Sequence, residues 1–205
     1  MKKNDFARKI FPFFIIAVIV QLGVIAFILC RSSAIKNEAE KSNRIASFKC
    51  EMRDPYNPFK GRYVELTLSE TSKEFSDLDI QSLEVKEIKR STPIVFCLLK
   101  KDAGGNFRIS GLRANEPDAD TLFVRARMKW FYGDSVTLSF PFNEYYMQEN
   151  YAREVDSLGS AFYELEPRIE VYIDSHGNCI QKALYVKGDQ RIEDYIGQLL
   201  TIKNL

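Results

Sequence analysis

The chain has 205 residues, 45% of them hydrophobic and 28% charged, which excludes wholesale disorder and supplies apolar surface for a real core. Lys and Arg number 29 against 28 Asp and Glu, a net charge of +1, so there is no global electrostatic footprint for nucleic acid. Four cysteines and a single histidine, His176, exclude zinc ribbons and His-rich metal sites, and they leave Ser-His-Asp or Cys-His chemistry only if His176 is the base.

Residues 1–9 form a basic tail with Lys2, Lys3, Arg8 and Lys9. Residues 10–30 read IFPFFIIAVIVQLGVIAFILC, with Gln21 the only strongly polar member. In a helix this run spans the roughly 30 Å hydrocarbon core of a bilayer. Pro12 falls in the first turn and Gly23 is tolerable inside a membrane helix. The run is apolar all round and bracketed by basic residues, which predicts a transmembrane helix rather than a buried core helix. The four preceding basic residues are tightly clustered, whereas Arg31, Lys36, Lys41 and Arg44 are spread out and interleaved with Glu38 and Glu40. The expected orientation is N-terminus inside and C-terminal domain outside. Ser32, Ser33 and Ala34 offer a signal-peptide cleavage site, but the apolar run is longer than a signal-peptide core, so an uncleaved single-pass signal-anchor is the expectation. Cys30 follows Leu29, which argues against a lipid-modified cysteine.

Residues 31–43 are polar and lack aromatics, as a short stalk of partly helical character would be. Residues 44–205 then form one extracytoplasmic β-rich domain. Arg62 to Ser69 is a strand with Val64, Leu66 and Leu68 on one side; residues 73–90 are ambiguous between a short helix and a loop plus strand. Pro93 to Leu99 reads as a strand covered on both faces, turned by Asp102 to Asn106 into a second strand from Phe107 to Leu112. The clearest strand runs from Leu122 to Phe131, where Leu122, Val124, Ala126, Met128 and Trp130 alternate with Arg125, Arg127 and Lys129. Tyr132-Gly133-Asp134 returns it to Val136, Leu138, Phe140 and Phe142. Tyr151, Val155, Leu158, Phe162 and Leu165 recur at helical spacing, with Asn150 the expected N-cap and Pro167 the stop. Ile169 to Ile173 and Ile180 to Val186 form a third hairpin around Asp174 to Asn178. Asp189 is the expected cap of a last helix whose apolar face is Ile192, Tyr195, Ile196, Leu199 and Leu200. The fold class is mainly β with one or two helices (α+β), an antiparallel sheet or sandwich behind a single N-terminal transmembrane helix.

The segment Asp54-Pro55-Tyr56-Asn57-Pro58-Phe59-Lys60-Gly61-Arg62-Tyr63-Val64-Glu65-Leu66 resembles the signature of the GDYXXLXY proteins, a bacterial membrane-anchored family. Its run is Asp-Pro-x-x-Pro-apolar-basic-Gly-Asp-Tyr-x-x-Leu-x-Tyr. Asp54, Pro55, Pro58, Phe59, Lys60, Gly61, Tyr63 and Leu66 match, while Arg62 replaces the motif Asp and Leu68 the second Tyr. Tyr145-Tyr146-Met147-Gln148-Glu149, followed by Glu154, is similar to the family's aromatic segment leading to an acidic residue. The Arg168 to Gly188 hairpin is similar to its closing strand pair. The resemblance implies a single-pass protein of the bacterial cytoplasmic membrane with a membrane-protein partner; it implies no activity. Physically, Asp54-Pro55 and Asn57-Pro58 bias the chain toward turns and Gly61 permits an angle that other residues resist, so a structural corner anchored by Tyr63 is favoured over a ligand loop.

Asn115, Glu116, Asp118 and Asp120 lack the Gly and bidentate Glu of a calcium loop and read as a solvated turn. Arg125, Arg127 and Lys129 make a basic stripe that suits anionic headgroups or an acidic partner, with a plain solvated sheet face the commoner reading. Cys50, Cys97 and Cys179 permit one disulfide without selecting a pair. His176 sits in an exposed turn, the Ser-Met nucleophile segment of a signal peptidase is missing, and no carboxylate pair is singled out. The sequence therefore predicts a non-catalytic protein with no cofactor and no metal site, assembling with another membrane or envelope protein. The alternative is a ligand-binding or sensing module using Tyr63, Tyr145, Tyr146 and Trp130.

Overall fold

Residues 45–51 alternate strictly: Ala46, Phe48 and Cys50 are buried while Ser47, Lys49 and Glu51 turn outward, which is the period of a strand with one core face. In the computed structural model, which describes residues 3–53, 63–79 and 94–203, this strand β1 (Ile45–Arg53) is the centre of the larger sheet. It pairs with β9 (Arg168–Ile173) through its first half and with β2 (Tyr63–Leu68) through its second. The six-stranded order is β11-β10-β9-β1-β2-β8, where β8 is Glu144–Tyr146, β10 is Cys179–Val186 and β11 is Gln190–Arg191. The second sheet has five strands in the order β3-β7-β6-β4-β5. These are β3 (Ser72–Glu74), β4 (Ile94–Lys101), β5 (Phe107–Arg113), β6 (Phe123–Tyr132) and β7 (Ser135–Ser139). All ladders among these strands are antiparallel.

The two sheets enclose one core, in which Phe48, Phe142 and Phe162 meet Leu112, Leu138, Ile169, Ile173 and Leu184. Phe48 and Phe142 stack with ring centroids 5.4 Å apart. Two helices close it. The first, α2 (Glu149–Leu158), buries Ala152 and Val155, then tightens into a 3-10 segment, Gly159–Leu165, that buries Phe162 and Leu165. The last, α3 (Ile192–Lys203), buries Ile192 and Ile196.

The mainly-β α+β fold, the three hairpins and both apolar helix faces match the sequence reading. Four details differ. Gln148, not Asn150, precedes α2, and Gly159 ends its α-helical part before Pro167. Asp189 does not cap α3; it ion-pairs with Arg168, and the strand β11 leads into the helix instead. In β6 a bulge between Met128 and Trp130 inserts one extra residue, so the alternation flips and Trp130, expected on the core face, is 73% exposed. The stalk expected over residues 31–43, partly helical, is helical through Lys41 as the unbroken continuation of α1 (Lys3–Lys41), and it packs on the domain rather than standing free of it. Of the ambiguous stretch 73–90, residues 73 and 74 finish the strand Ser72–Glu74 and Phe75–Asp77 is a 3-10 turn, while residues 80–90 lie outside the described residues.

Candidate functional site

The end of α1 is built as a joint. Ile35 and Ala39, four apart and so on one helix face, are buried against Tyr172, with Ile45 and Ile180 packed around them. Glu38 accepts a hydrogen bond from the Ser175 N–H at 2.6 Å, and the Tyr172 hydroxyl donates to Glu40 at 3.1 Å. The helix then stops as helix C-termini commonly do: Asn43 takes a left-handed φ of 52° and the Arg44 N–H returns to the Ala39 carbonyl. Arg44 is buried, and its guanidinium donates to the carbonyls of Ala119 and Thr121 at 2.8 and 2.9 Å while lying over the Phe123 ring. Anchor helix, β1, the β9–β10 tip and the loop before β6 are thereby tied at one point. From Cys30 to Ile35 the helix rises only about 7.5 Å. The apolar run of the helix therefore ends close to the residues that pack on the domain.

Most of the motif region, Asp54, Pro55, Pro58, Lys60 and Gly61, lies outside the described residues. Tyr63 opens β2, is buried, and pairs in register with Tyr146 of β8, with ring centroids 5.6 Å apart. Leu66 is buried in the core and its N–H donates to the Asn143 carbonyl. Tyr145 lies on the opposite face of β8, buried, its hydroxyl donating to Glu193 at 2.6 Å. Burial, reinforced by the neighbouring Glu193 carboxylate, pushes the Tyr145 phenol up to about 12. Glu149 starts α2, where a carboxylate suits the helix dipole, and pairs with Arg153 one turn on. Tyr63 and Tyr146 thus share one face, Tyr145 faces the core and Trp130 belongs to the other sheet, so the four aromatics do not surround one cavity. Of the basic stripe, Arg125 is half-buried, stacking over Phe96 at 5.5 Å and donating to Asn178; Arg127 and the bulged Lys129 are exposed.

A polar cleft escaped the sequence reading because its walls come from distant segments. The tip of the β4–β5 hairpin faces β1 and β9, leaving a cavity of about 450 Å³ lined by Lys49, Glu51, Asn106, Tyr163 and Arg168 among others. Arg168 is fully engaged: it donates to Glu170, Ser47 and the Gly188 carbonyl, pairs with Asp189 and stacks on Tyr185. Burial alone would raise Glu170, but hydrogen bonds from Lys182 and Arg168 outweigh it and hold the carboxyl below its ordinary 4.5. A lowered folded-state value means stability that is present above pH 4.5 and lost as pH falls through the folded value. Glu170→Gln is therefore expected to flatten the acid limb of a melting-temperature profile between pH 7 and 3; an unchanged acid limb would contradict this assignment.

The four cysteines are free thiols. Burial raises Cys50 and Cys97 far above the usual thiol range and Cys179 to about 12, so none of the three offers a thiolate at neutral pH. In the native chain, Cys50 and Cys97 are expected to react with a thiol reagent only after denaturation, and rapid native labelling of either would contradict their burial. The His176 ring Nδ1–H donates to the Glu116 carboxylate, 2.7 Å away, at the exposed tip of the third hairpin. The loop from Asn115 to Asp120 is thus held by His176 on one side and Arg44 on the other.

The family model for the GDYXXLXY protein matches residues 21–184, from inside the membrane helix to β10, about four-fifths of the chain. No curated protein and no solved structure matches the chain. Among the described residues one helix, counted over Phe13–Lys41, is long and apolar enough to cross a membrane, and the β-sandwich follows it directly. With the matched range covering anchor and domain together, the chain belongs to the GDYXXLXY family, as a membrane-anchored protein with a β-rich domain.

Proposed function

We propose that this protein is a non-catalytic, single-pass protein of the bacterial cytoplasmic membrane, N-terminus inside, whose extracytoplasmic domain assembles with another membrane or envelope protein. The observation that carries this reading is the joint at Ile35, Ala39 and Arg44. A capture or scavenging domain profits from a flexible tether, whereas a subunit that must present one face at a fixed height profits from a helix running unbroken from bilayer to fold. The protonated, buried thiols of Cys50 and Cys97 leave no thiolate nucleophile at either position.

The test is crosslinking in whole cells with a C-terminal tag, followed by purification in mild detergent and mass spectrometry. One stoichiometric membrane partner is the expected result; a clean monomer would contradict it. Topology has its own test: protease added to intact spheroplasts is expected to remove the domain beyond residue 44, and full protection would reverse the orientation. A second reading, a ligand-binding or sensing module, draws on the 450 Å³ cleft beside Lys49. It predicts that some member of a panel of small charged metabolites raises the melting temperature of the full chain, and that Lys49→Glu abolishes the rise.

A further inference from the structure

The outer face of the five-stranded sheet is laid out by its registers. Residues directly opposite one another in a ladder share a face. Three consecutive rows read Arg113–Phe96–Arg125, then Ile94–Arg127–Ser139, then Trp130–Thr137–Ser72. None of the three contains an acidic side chain; Glu74 enters only in the next row, opposite Ser135. Arg113 is neutralised by Asp79, but Arg127 is exposed and no salt bridge engages it among the described residues. Beside it stands the chain's single tryptophan, 73% exposed, with Ile94 38% exposed on the neighbouring strand.

Trp130 owes that position to the bulge at Lys129. Without the extra residue, the alternation through Val124, Ala126 and Met128 would carry Trp130 to the core face. The bulge forfeits ladder pairing and leaves the largest side chain in water, a double cost that core packing does not explain. Trp and Arg side by side on a rigid strand are the residue types that dominate binding energy at protein interfaces. The face also lies away from the joint. β6 begins at Phe123, beside Arg44 and Gly177, and Trp130 is seven residues further on, roughly 23 Å along the strand.

We infer that this Trp130–Arg127 face is the docking surface for a protein partner that presents a carboxylate beside an apolar socket: the socket takes the indole and the carboxylate meets Arg127. The inference rests on the assembly reading above and adds the surface and its chemistry. Charge complementarity selects an acidic partner, and a tryptophan beside an arginine on a rigid strand is the pairing that protein interfaces favour.

The test uses the full-length protein in whole cells with the photocrosslinker p-benzoylphenylalanine at position 130, and at Tyr163, also half exposed, as the control. The expected result is one protein adduct from position 130, about tenfold weaker from position 163. Arg127→Glu is expected to lower the adduct yield about tenfold, and changing the mapped partner carboxylate to Lys is expected to restore it. Arg127→Gln, with an unchanged melting temperature, removes the charge without reversing it and should give an intermediate loss. A phospholipid adduct in place of a protein would overturn the inference in favour of a membrane contact, and a protein adduct indifferent to Arg127→Glu would overturn the acidic chemistry. No adduct at position 130, with the wild type still copurifying with its partner, would overturn this surface and leave the assembly reading standing. Loss of both adduct and partner would overturn both.

Discussion

Gly177→Ala is expected to destabilise the domain by about 3 kcal/mol, combining a left-handed backbone with overpacking. Gly177 has φ +74°, and a Cβ there would sit 2.7 Å from two carbons of the fully buried Phe123 ring. The ring cannot yield, because it is edge-on to Phe96 at 5.7 Å and lies under Arg44. Nor can the backbone, since the Gly177 carbonyl accepts from the Arg125 N–H and its own N–H returns to Asp174. Asp174 in turn holds the turn together through the N–H groups of His176 and Asn178. At this point the tip of the larger sheet is stitched to the edge of β6, so one methyl group pries the two sheets apart. For a domain of this size the loss corresponds to about 6–12 °C in melting temperature. Gly188→Ala is the control: φ is +83° but nothing lies within 4 Å, so only the conformational cost, about 1–2 kcal/mol, is expected. Equal effects at the two sites would remove the steric argument.

Arg44→Ala is the second large effect. It deletes two hydrogen bonds from a buried guanidinium and strands the Ala119 and Thr121 carbonyls in the joint. Charge-assisted bonds and unsatisfied buried acceptors together make a loss of about 3 kcal/mol. Arg44→Lys is expected to recover only part of it, because an ammonium lacks the fork that reaches both carbonyls at once. The accompanying signature is faster proteolytic cleavage between residues 115 and 121, the loop that Arg44 holds. A variant that melts like the wild type, with the loop still resistant, would show that the joint does not depend on this residue.

How far the sequence could be read follows from the range of the forces involved. The membrane helix, the hairpins and the apolar faces of α2 and α3 are periodic signals set by local burial, and they were legible. Trp130 was misplaced because a bulge is a decision taken between β6 and β7, invisible to the alternation of one strand alone. Asp189 looked like a helix cap because it precedes an apolar face, yet Arg168, 21 residues earlier, competes for its carboxylate. Residues 31–41 looked like a stalk because polar composition marks solvent on most of a helix; the two inward positions, Ile35 and Ala39, were the available signal. The cleft beside Lys49 is assembled from five segments and carries no local pattern. Tyr63 and Leu66 of the motif are buried, in keeping with a structural role for the end of that segment.

The central claim is that anchor helix and β-sandwich form one rigid unit. It is tested most directly by pulsed electron–electron distance measurement on the full chain in lipid nanodiscs. Spin labels go at Ser33 on α1 and Arg153 on α2, both exposed, with Cys30 and Cys179 replaced by serine. A single narrow distance distribution, broadened by Ala39→Asp, is the predicted result. A broad distribution in the wild type would mean that the domain swings on its anchor and that the joint does not hold.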